Sequence, residues 1–342
     1  MIKLSIIVPV WNVEKYIRPC IESIFMQGLN DNDFEVIIVN DGTEDHSIEM
    51  IQDIIDIHKN IIVLNQQNLS LSVARNNGIA MAKGKYLLMP DSDDLLIENS
   101  LKPLLEKALE YEADLVVADF LRMTNEEIDN LRSIPQKDFN IQEKIGEQLF
   151  IEDLNPHECF VWRTLYKRSF LLSENLKFFP GIRYQDVPFT HECYLKAGKC
   201  LRISWYLNIY RKRPGATTDS FDKGRAIDFC IAIANTWKLT NCGRFSPDVY
   251  SKLCEDVWIS FSALICLTCH DIQVKKDRYE VIDFLRKNAP NLYFVNGKKQ
   301  KLYSFLFRYM PHSLLRFRYV YGLIIEDQLQ PFYHHQLIKM FK

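Results

Sequence analysis

Across the first 118 residues, strand-length apolar runs alternate with stretches of helical spacing, and few folds accept that order. Leu4-Ser5-Ile6-Ile7-Val8 is a β-branched run stopped by Pro9 and reads as a buried strand. The runs Phe34 to Val39, Ile61 to Leu64, Tyr86 to Met89 and Leu115 to Ala118 follow. Between them Asn12 is placed to cap a helix carrying Tyr16, Ile17, Cys20, Ile21 and Ile24 at helical spacing. Further helices are expected over Asp45 to His58, Ser70 to Met81 and Leu101 to Glu112. Short connections in this order imply right-handed crossovers and a mainly parallel sheet covered on both faces. Ligands of such sheets bind beyond the carboxyl ends of the strands. Those ends carry Pro9 to Asn12, Asp41 and Asp91 to Asp94, so polar groups converge on one rim.

The fourth strand ends abruptly in Asp91-Ser92-Asp93-Asp94. Alternation along an extended chain lets Asp91 and Asp93 point the same way. Neighbouring carboxylates repel unless a cation or a proton sits between them. An all-oxygen ligand set favours a hard divalent ion such as Mg2+ or Mn2+. A solvated acidic turn with Asp94 capping a following helix fits the same letters.

The remainder is less regular. Residues 120–155 are charged, with one helix expected near 141–151. An ordered stretch starts at Trp162, and Cys200 to Ile203 and Asn208 to Arg211 read as two strands. From Lys223 onward the pattern is mostly helical and rich in aromatics. A net charge of −2 argues against a nucleic-acid binder, although from Gly297 to the end eight Lys and Arg face only Glu326 and Asp327. Nine irregularly spaced cysteines suit a reducing cytoplasm, with no secretory signal expected at the N-terminus. Cys266-Leu267-Thr268-Cys269-His270 matches a short haem-attachment signature, but it lies in an apolar helical run and reads as core.

Several segments, taken in order, resemble the inverting glycosyltransferases of family 2, which have the GT-A fold. They are Ser5 to Asn12, Val39-Asn40-Asp41-Gly42-Thr43, Ala74-Arg75-Asn76-Asn77-Gly78, Asp91-Ser92-Asp93-Asp94 and Tyr184-Gln185-Asp186-Val187-Pro188-Phe189. The resemblance covers about the first 215 residues. It implies a catalytic, nucleotide-sugar-binding domain over 1–220, followed by a helical region over 221–342 for acceptor, membrane-surface or subunit contacts.

It also implies a nucleotide-diphosphate sugar donor, a UDP-sugar by the family's habit, and an acceptor hydroxyl on a glycan or lipid-linked molecule of the cell surface. Pro9, Val10, Trp11 and Glu14 would line the nucleotide, with Asp41 accepting from the base. Arg75 would lie near the diphosphate, and Asp91 and Ser92 near the nucleotide's sugar. Asp93 would ligate Mn2+ or Mg2+. Asp186 would be the base that takes the acceptor's proton. Asp94, Gln185, Arg211 and Arg213 are candidates for donor-sugar, diphosphate or acceptor contacts. Gln185 stands where the family often has Glu, which removes a charge beside the base.

Each position has a plainer reading as well. Asp41 would hold its Asp-Gly bend, Arg75 would be a surface arginine, Asp186 would sit on a helix dipole, and Arg211 and Arg213 would charge an edge strand. His191 is a weak further metal ligand, and Trp162 with Leu165 to Lys167 reads as core. Two other functions fit parts of the pattern: a binding-only relative that holds a sugar nucleotide without transfer, and a haloacid-dehalogenase-like phosphohydrolase using Asp91-Ser92-Asp93. A dinucleotide oxidoreductase would need a glycine-rich turn after the first strand, where Pro9-Val10-Trp11-Asn12 stands. The basic, aromatic tail, through Phe305 to Met310 and Leu314 to Tyr319, would rest on the inner face of a membrane or pack as a helical pair on the catalytic domain or against another subunit.

Overall fold

A computed structural model describes residues 1–213, 220–242 and 245–318. They divide into two compact units, the first of 1–153, 160–181 and 189–213, the second of 154–159, 182–188 and the described residues from 220 onward.

The first unit follows the expected alternation: β1 (Leu4–Val10), α1 (Ile17–Phe25), β2 (Phe34–Asp41), α2 (Gln52–Ile57), β3 (Ile61–Gln66), α3 (Leu71–Met81), β4 (Tyr86–Leu88). The chain then adds a short β5 (Leu95–Leu96), α4 (Leu101–Tyr111), β6 (Leu115–Thr124), α5 (Asn125–Asp129), β7 (Asn140–Lys144), α6 (Gly146–Asp153), β8 (Thr164–Lys167) and α7 (Arg168–Ser173). The helix α8 (Asp186–Lys196) leads into β9 (Cys200–Lys212). The strands form one sheet in the order β3-β2-β1-β4-β8-β6-β9-β5, with β7 also on β9. Strands β1 to β4 are mutually parallel and β6 is parallel to β9, while β8, β5 and β7 run antiparallel to their neighbours. Leu4, Ile6, Val8 and Val10 point into a core shared with α1 and α4. Ile7, of opposite parity, meets α3, where a Cβ on Gly78 would lie 2.3 Å from its side chain.

Four local expectations change. Pro9 does not end β1, because pairing with β4 stops at Ile6 and no ladder bond is lost beyond it on that side. The helix expected near 141–151 is β7 followed by α6. Gly146 marks the break, since a Cβ there would lie 2.1 Å from the Tyr194 carbonyl oxygen. The two strands expected at 200–203 and 208–211 are one continuous β9. Its alternation is disturbed where the register with β6 shifts around Asp119. Asn12 does not cap α1; it sits at φ 51° and bonds the loop after β2 instead.

The second unit contains α9 (Lys223–Leu239), α10 (Pro247–His270), α11 (Lys275–Asn288) and α12 (Gly297–Tyr309), with 311–318 also helical. Its core is aromatic and aliphatic, with Phe229, Phe261, Phe294 and Phe307 buried together. By length and composition α10 is apolar enough to cross a membrane, yet Leu253, Val257, Phe261, Leu264 and Ile265 on it are core residues. Cys269 is buried with its thiol toward the Leu315 carbonyl, as a small apolar residue would be.

Candidate active site

The rim expected at the strand ends begins with β4. Met89 and Pro90 stay buried, and the chain turns so that the Asp94 amide donates to the Asp91 carbonyl at 3.1 Å. β5 then pairs antiparallel with β9, Leu95 opposite Ile209. Two residues back from Leu95 is Asp93, and two on from Ile209 is Arg211, so this register sets the acidic turn against the basic end of β9. The Arg211 amide donates to Asp94 Oδ1 at 2.8 Å and its Nε to the Asp93 carbonyl at 2.9 Å. Arg213 Nε donates to Asp93 Oδ2 at 2.7 Å. Both guanidinium groups lie over the Tyr16 ring, 5.2 and 5.0 Å from its centre. A further bond joins Arg211 to Asn125 at 2.8 Å.

Asp94 does not cap a helix. It is buried, and it precedes a strand. Burial, then the neighbouring Asp93 and Asp91, push its carboxyl well above the ordinary range. Asp91 is also raised, by burial first, with Arg75 pulling the other way and Asp93 adding to the rise. The field of the three acids reaches further. Beyond the effect of burial, it lifts the Cys20 thiol and helps push the Tyr210 phenol up to about 12. Asp94 Oδ2 is buried without a hydrogen-bond partner. Three adjacent carboxylates, one of them with a buried oxygen that has no hydrogen-bond partner, fit a hard cation. Among the described residues no three His, Cys, Asp or Glu side chains converge as a ready-made cage. A Mg2+-type ion needs none, since one or two carboxylates completed by substrate phosphates suffice.

Arg75 is not a surface arginine. It is buried on α3, paired with Asp91 and over the Phe178 ring at 5.4 Å. Its neighbours explain the rest of that motif. Asn76 exchanges two bonds with the Phe178 backbone, at 2.9 and 3.0 Å. Asn77 donates to Gln66 at 2.7 Å, and Gly78 admits Ile7.

Asp41 ends β2 and folds the loop after β3. Its Oδ1 accepts from Gln66 Nε2 at 2.6 Å and the Leu69 amide at 2.8 Å, its Oδ2 from the Ser70 amide at 3.1 Å. Gly42 is at φ +69°, where a Cβ would also strike the Asn68 amide at 2.7 Å. The loop after β1 is tied to the loop after β2. Asn12 accepts from the Glu44 amide at 2.9 Å, and Glu14 from the His46 amide at 3.3 Å. Pro9 and Val10 lie within β1, and Trp11 stands 48% exposed at its end. Ser92 is buried between the acids.

Sequence reasoning missed Asp45, the hub of those loops, which accepts from the Glu14 amide at 2.9 Å, Thr43 Oγ1 at 2.7 Å and Ser47. Burial opposes its charge, but the bonds from Ser47, Glu14 and Thr43 leave the carboxyl below its ordinary 3.8. Asp45 and Ser47, two apart and just after the Asp-Gly turn, were the available signal. Tyr16 was missed as well, being counted only in the apolar face of α1.

Gln185 and Asp186 belong to the second unit. Asp186 opens α8, and Gln185 is buried. Tyr184 beside them stacks on Phe229 at 4.4 Å and accepts from Arg225 Nε at 2.8 Å, which fixes this segment to α9. His191 is buried against Phe150 and not in the acidic turn. Of the basic segment after β9, Pro214 to Thr218 lie outside the described residues.

The family model for glycosyl transferase family 2 matches residues 5–171. An uncharacterized glycosyltransferase of Bacillus subtilis, EpsJ, is 34% identical over 63% of this chain and 63% of its own. Glycosyltransferase GlyA of Streptococcus pneumoniae is 30% identical over 63% of this chain and 31% of its own. The chain thus spans under two thirds of the length of these relatives. A crystal structure of S. aureus TarS 1-349 in complex with UDP-GlcNAc superposes with a TM-score of 0.71 at 19% identity, covering 93% of this chain and 90% of that one. The fold is therefore GT-A, a mostly parallel sheet flanked by helices with a helical C-terminal region.

Proposed function

Because the chain belongs to glycosyl transferase family 2, we propose that it is an inverting glycosyltransferase. It would move a sugar from a nucleotide-diphosphate donor, a UDP-sugar, to a hydroxyl of a glycan or lipid-linked acceptor in cell-surface polysaccharide synthesis. The observation that carries this reading is the acidic turn after β4, two of whose three carboxylates are each held by a guanidinium, Arg75 on Asp91 and Arg213 on Asp93. Three carboxylates in one turn, with arginines beside them, suit a ligand that brings both a cation and phosphates.

In this reading Asp93 holds a Mn2+ or Mg2+, with Asp91 behind it. When bound, such an ion offsets the charge that develops on the departing diphosphate. Arg213, which here donates to Asp93, would meet the phosphate oxygens. Trp11 and the loop ordered by Asp41 and Asp45 hold the base and ribose. Asp41 retains one acceptor position for a base N–H beyond the three bonds it makes here. Asp186 accepts the proton of the attacking hydroxyl, while the C–O bond to the diphosphate breaks on the opposite face of the sugar. Buried Gln185 brings a neutral amide to the position beside it.

The test is single-turnover transfer by Asp186→Asn. Donor affinity is expected to stay within about twofold while transfer falls about a hundredfold to ten-thousandfold. Transfer at the wild-type rate removes the base assignment. Nucleotide-dependent stabilisation without turnover, over a broad set of acceptors, would establish the binding-only reading, and release of phosphate from simple monoesters would establish a phosphohydrolase.

A further inference from the structure

Helix α12 is apolar on two sides. One side, Tyr303, Leu306 and Phe307, is buried in the core of the second unit. Leu302, Phe305 and Tyr309 repeat at the spacing of one helical stripe on the other side and are 42%, 49% and 63% exposed. The Phe305 and Tyr309 rings lie 5.1 Å apart on that stripe. Lys298 stands at its head, Lys301 and Arg308 along one flank and Lys299 along the other. Exposed Tyr293 and Val295 precede the helix, and Met310 and Phe317 follow it.

A helix that only roofs a core fills its outward positions with charged residues. Here those positions hold large apolar groups, and the charge around them has a single sign. From 297 to 318 the chain has Lys298, Lys299, Lys301, Arg308, Arg316 and Arg318 and no acidic residue. Nearby acids are engaged elsewhere, Asp283 with His312 at 2.9 Å, Asp277 and Glu280 with Lys223. Among the described residues no ion pair takes in Lys298, Lys299, Lys301 or Arg308.

We propose that this face of α12 docks on an anionic phospholipid bilayer, with Leu302, Phe305 and Tyr309 entering the headgroup boundary and the lysines and Arg308 meeting lipid phosphates. An interfacial helix has this arrangement, an apolar stripe with aromatics bordered by basic residues. Charge decides against a second copy as occupant. A two-fold contact through this face would set the same basic flanks against each other with no acid to receive them. The inference is independent of the transfer reaction, because it concerns binding alone.

The test is flotation of the full chain with vesicles of phosphatidylcholine alone or with phosphatidylglycerol added. The wild type should float only with the anionic vesicles and be released by high salt. Replacing Lys298, Lys299, Lys301 and Arg308 together with Gln should weaken flotation about tenfold or more. The double variant Leu302→Gln, Phe305→Gln should weaken it as well, and both variants should keep the wild-type melting temperature because these side chains are exposed. Absence of flotation by the wild type, or flotation unchanged in both variants, overturns the proposal. So does a concentration-dependent dimer that the double variant abolishes without any effect of vesicles.

Discussion

In the proposed reading Arg213 and a divalent ion would compete for one carboxylate, and the competition has a sign. Replacing Arg213 with Met frees Asp93 Oδ2, so Mn2+ alone should bind more tightly, while UDP in the presence of Mn2+ binds more weakly for want of a cation on its phosphates. Calorimetric titration with each ligand separates the two effects. Asp45 has a pH signature. Its carboxyl is held below 3.8 by bonds that exist only in the fold, so their contribution is complete above that value. It is lost as the pH falls through the lowered one. Melting temperature between about pH 5 and pH 2 should therefore fall less steeply in Asp45→Asn than in the wild type. The acids after β4 were legible from the letters alone as a cluster at a strand end, because an apolar run that stops in carboxylates marks where the chain leaves the sheet. The guanidinium on each of them was not, since both pairings depend on chain brought in from far away, by α3 in one case and β9 in the other.

At the level of elements, the parallel half of the sheet could be read because β1, β2 and β4 are buried on both faces, and even the half-buried β3 announces itself as an apolar run. β5, β7 and the full length of β9 could not. β5 is two residues long and exists by pairing with β9, and the bulge opposite Asp119 breaks the alternation by which a strand is recognised. That same β5–β9 pairing is what brings Asp93 and Asp94 to Arg211, so the least legible strand is the one that completes the acidic turn. The contact of α3 with β1 has no slack at Gly78. An added methyl 2.3 Å from Ile7, a fully buried β-branched residue in a central strand, cannot be relieved by a flexible chain end. Gly78→Ala should cost about 1–3 kcal/mol by chemical denaturation. Because α3 also carries Arg75, donor binding should weaken with it.

Over the whole chain, the nucleotide and metal residues proposed here lie in the first unit, and the proposed base lies in the second. Donor binding and proton abstraction should accordingly be separable by mutation: changes at Asp93 act on affinity, changes at Asp186 on turnover. The helices from α9 onward carry no motif of the family, and their letters disclosed only helices and basic charge. Which face of α12 is left outside the core became visible in the packed unit. The account stands on Asp93 as the carboxylate that joins a divalent ion to a nucleotide diphosphate, and calorimetric titration of UDP with and without Mn2+ reaches that claim most directly. The wild type should bind UDP more tightly with Mn2+ than without, and Asp93→Asn should show the same weak affinity in both conditions. A Mn2+-dependent gain that survives intact in Asp93→Asn would contradict it.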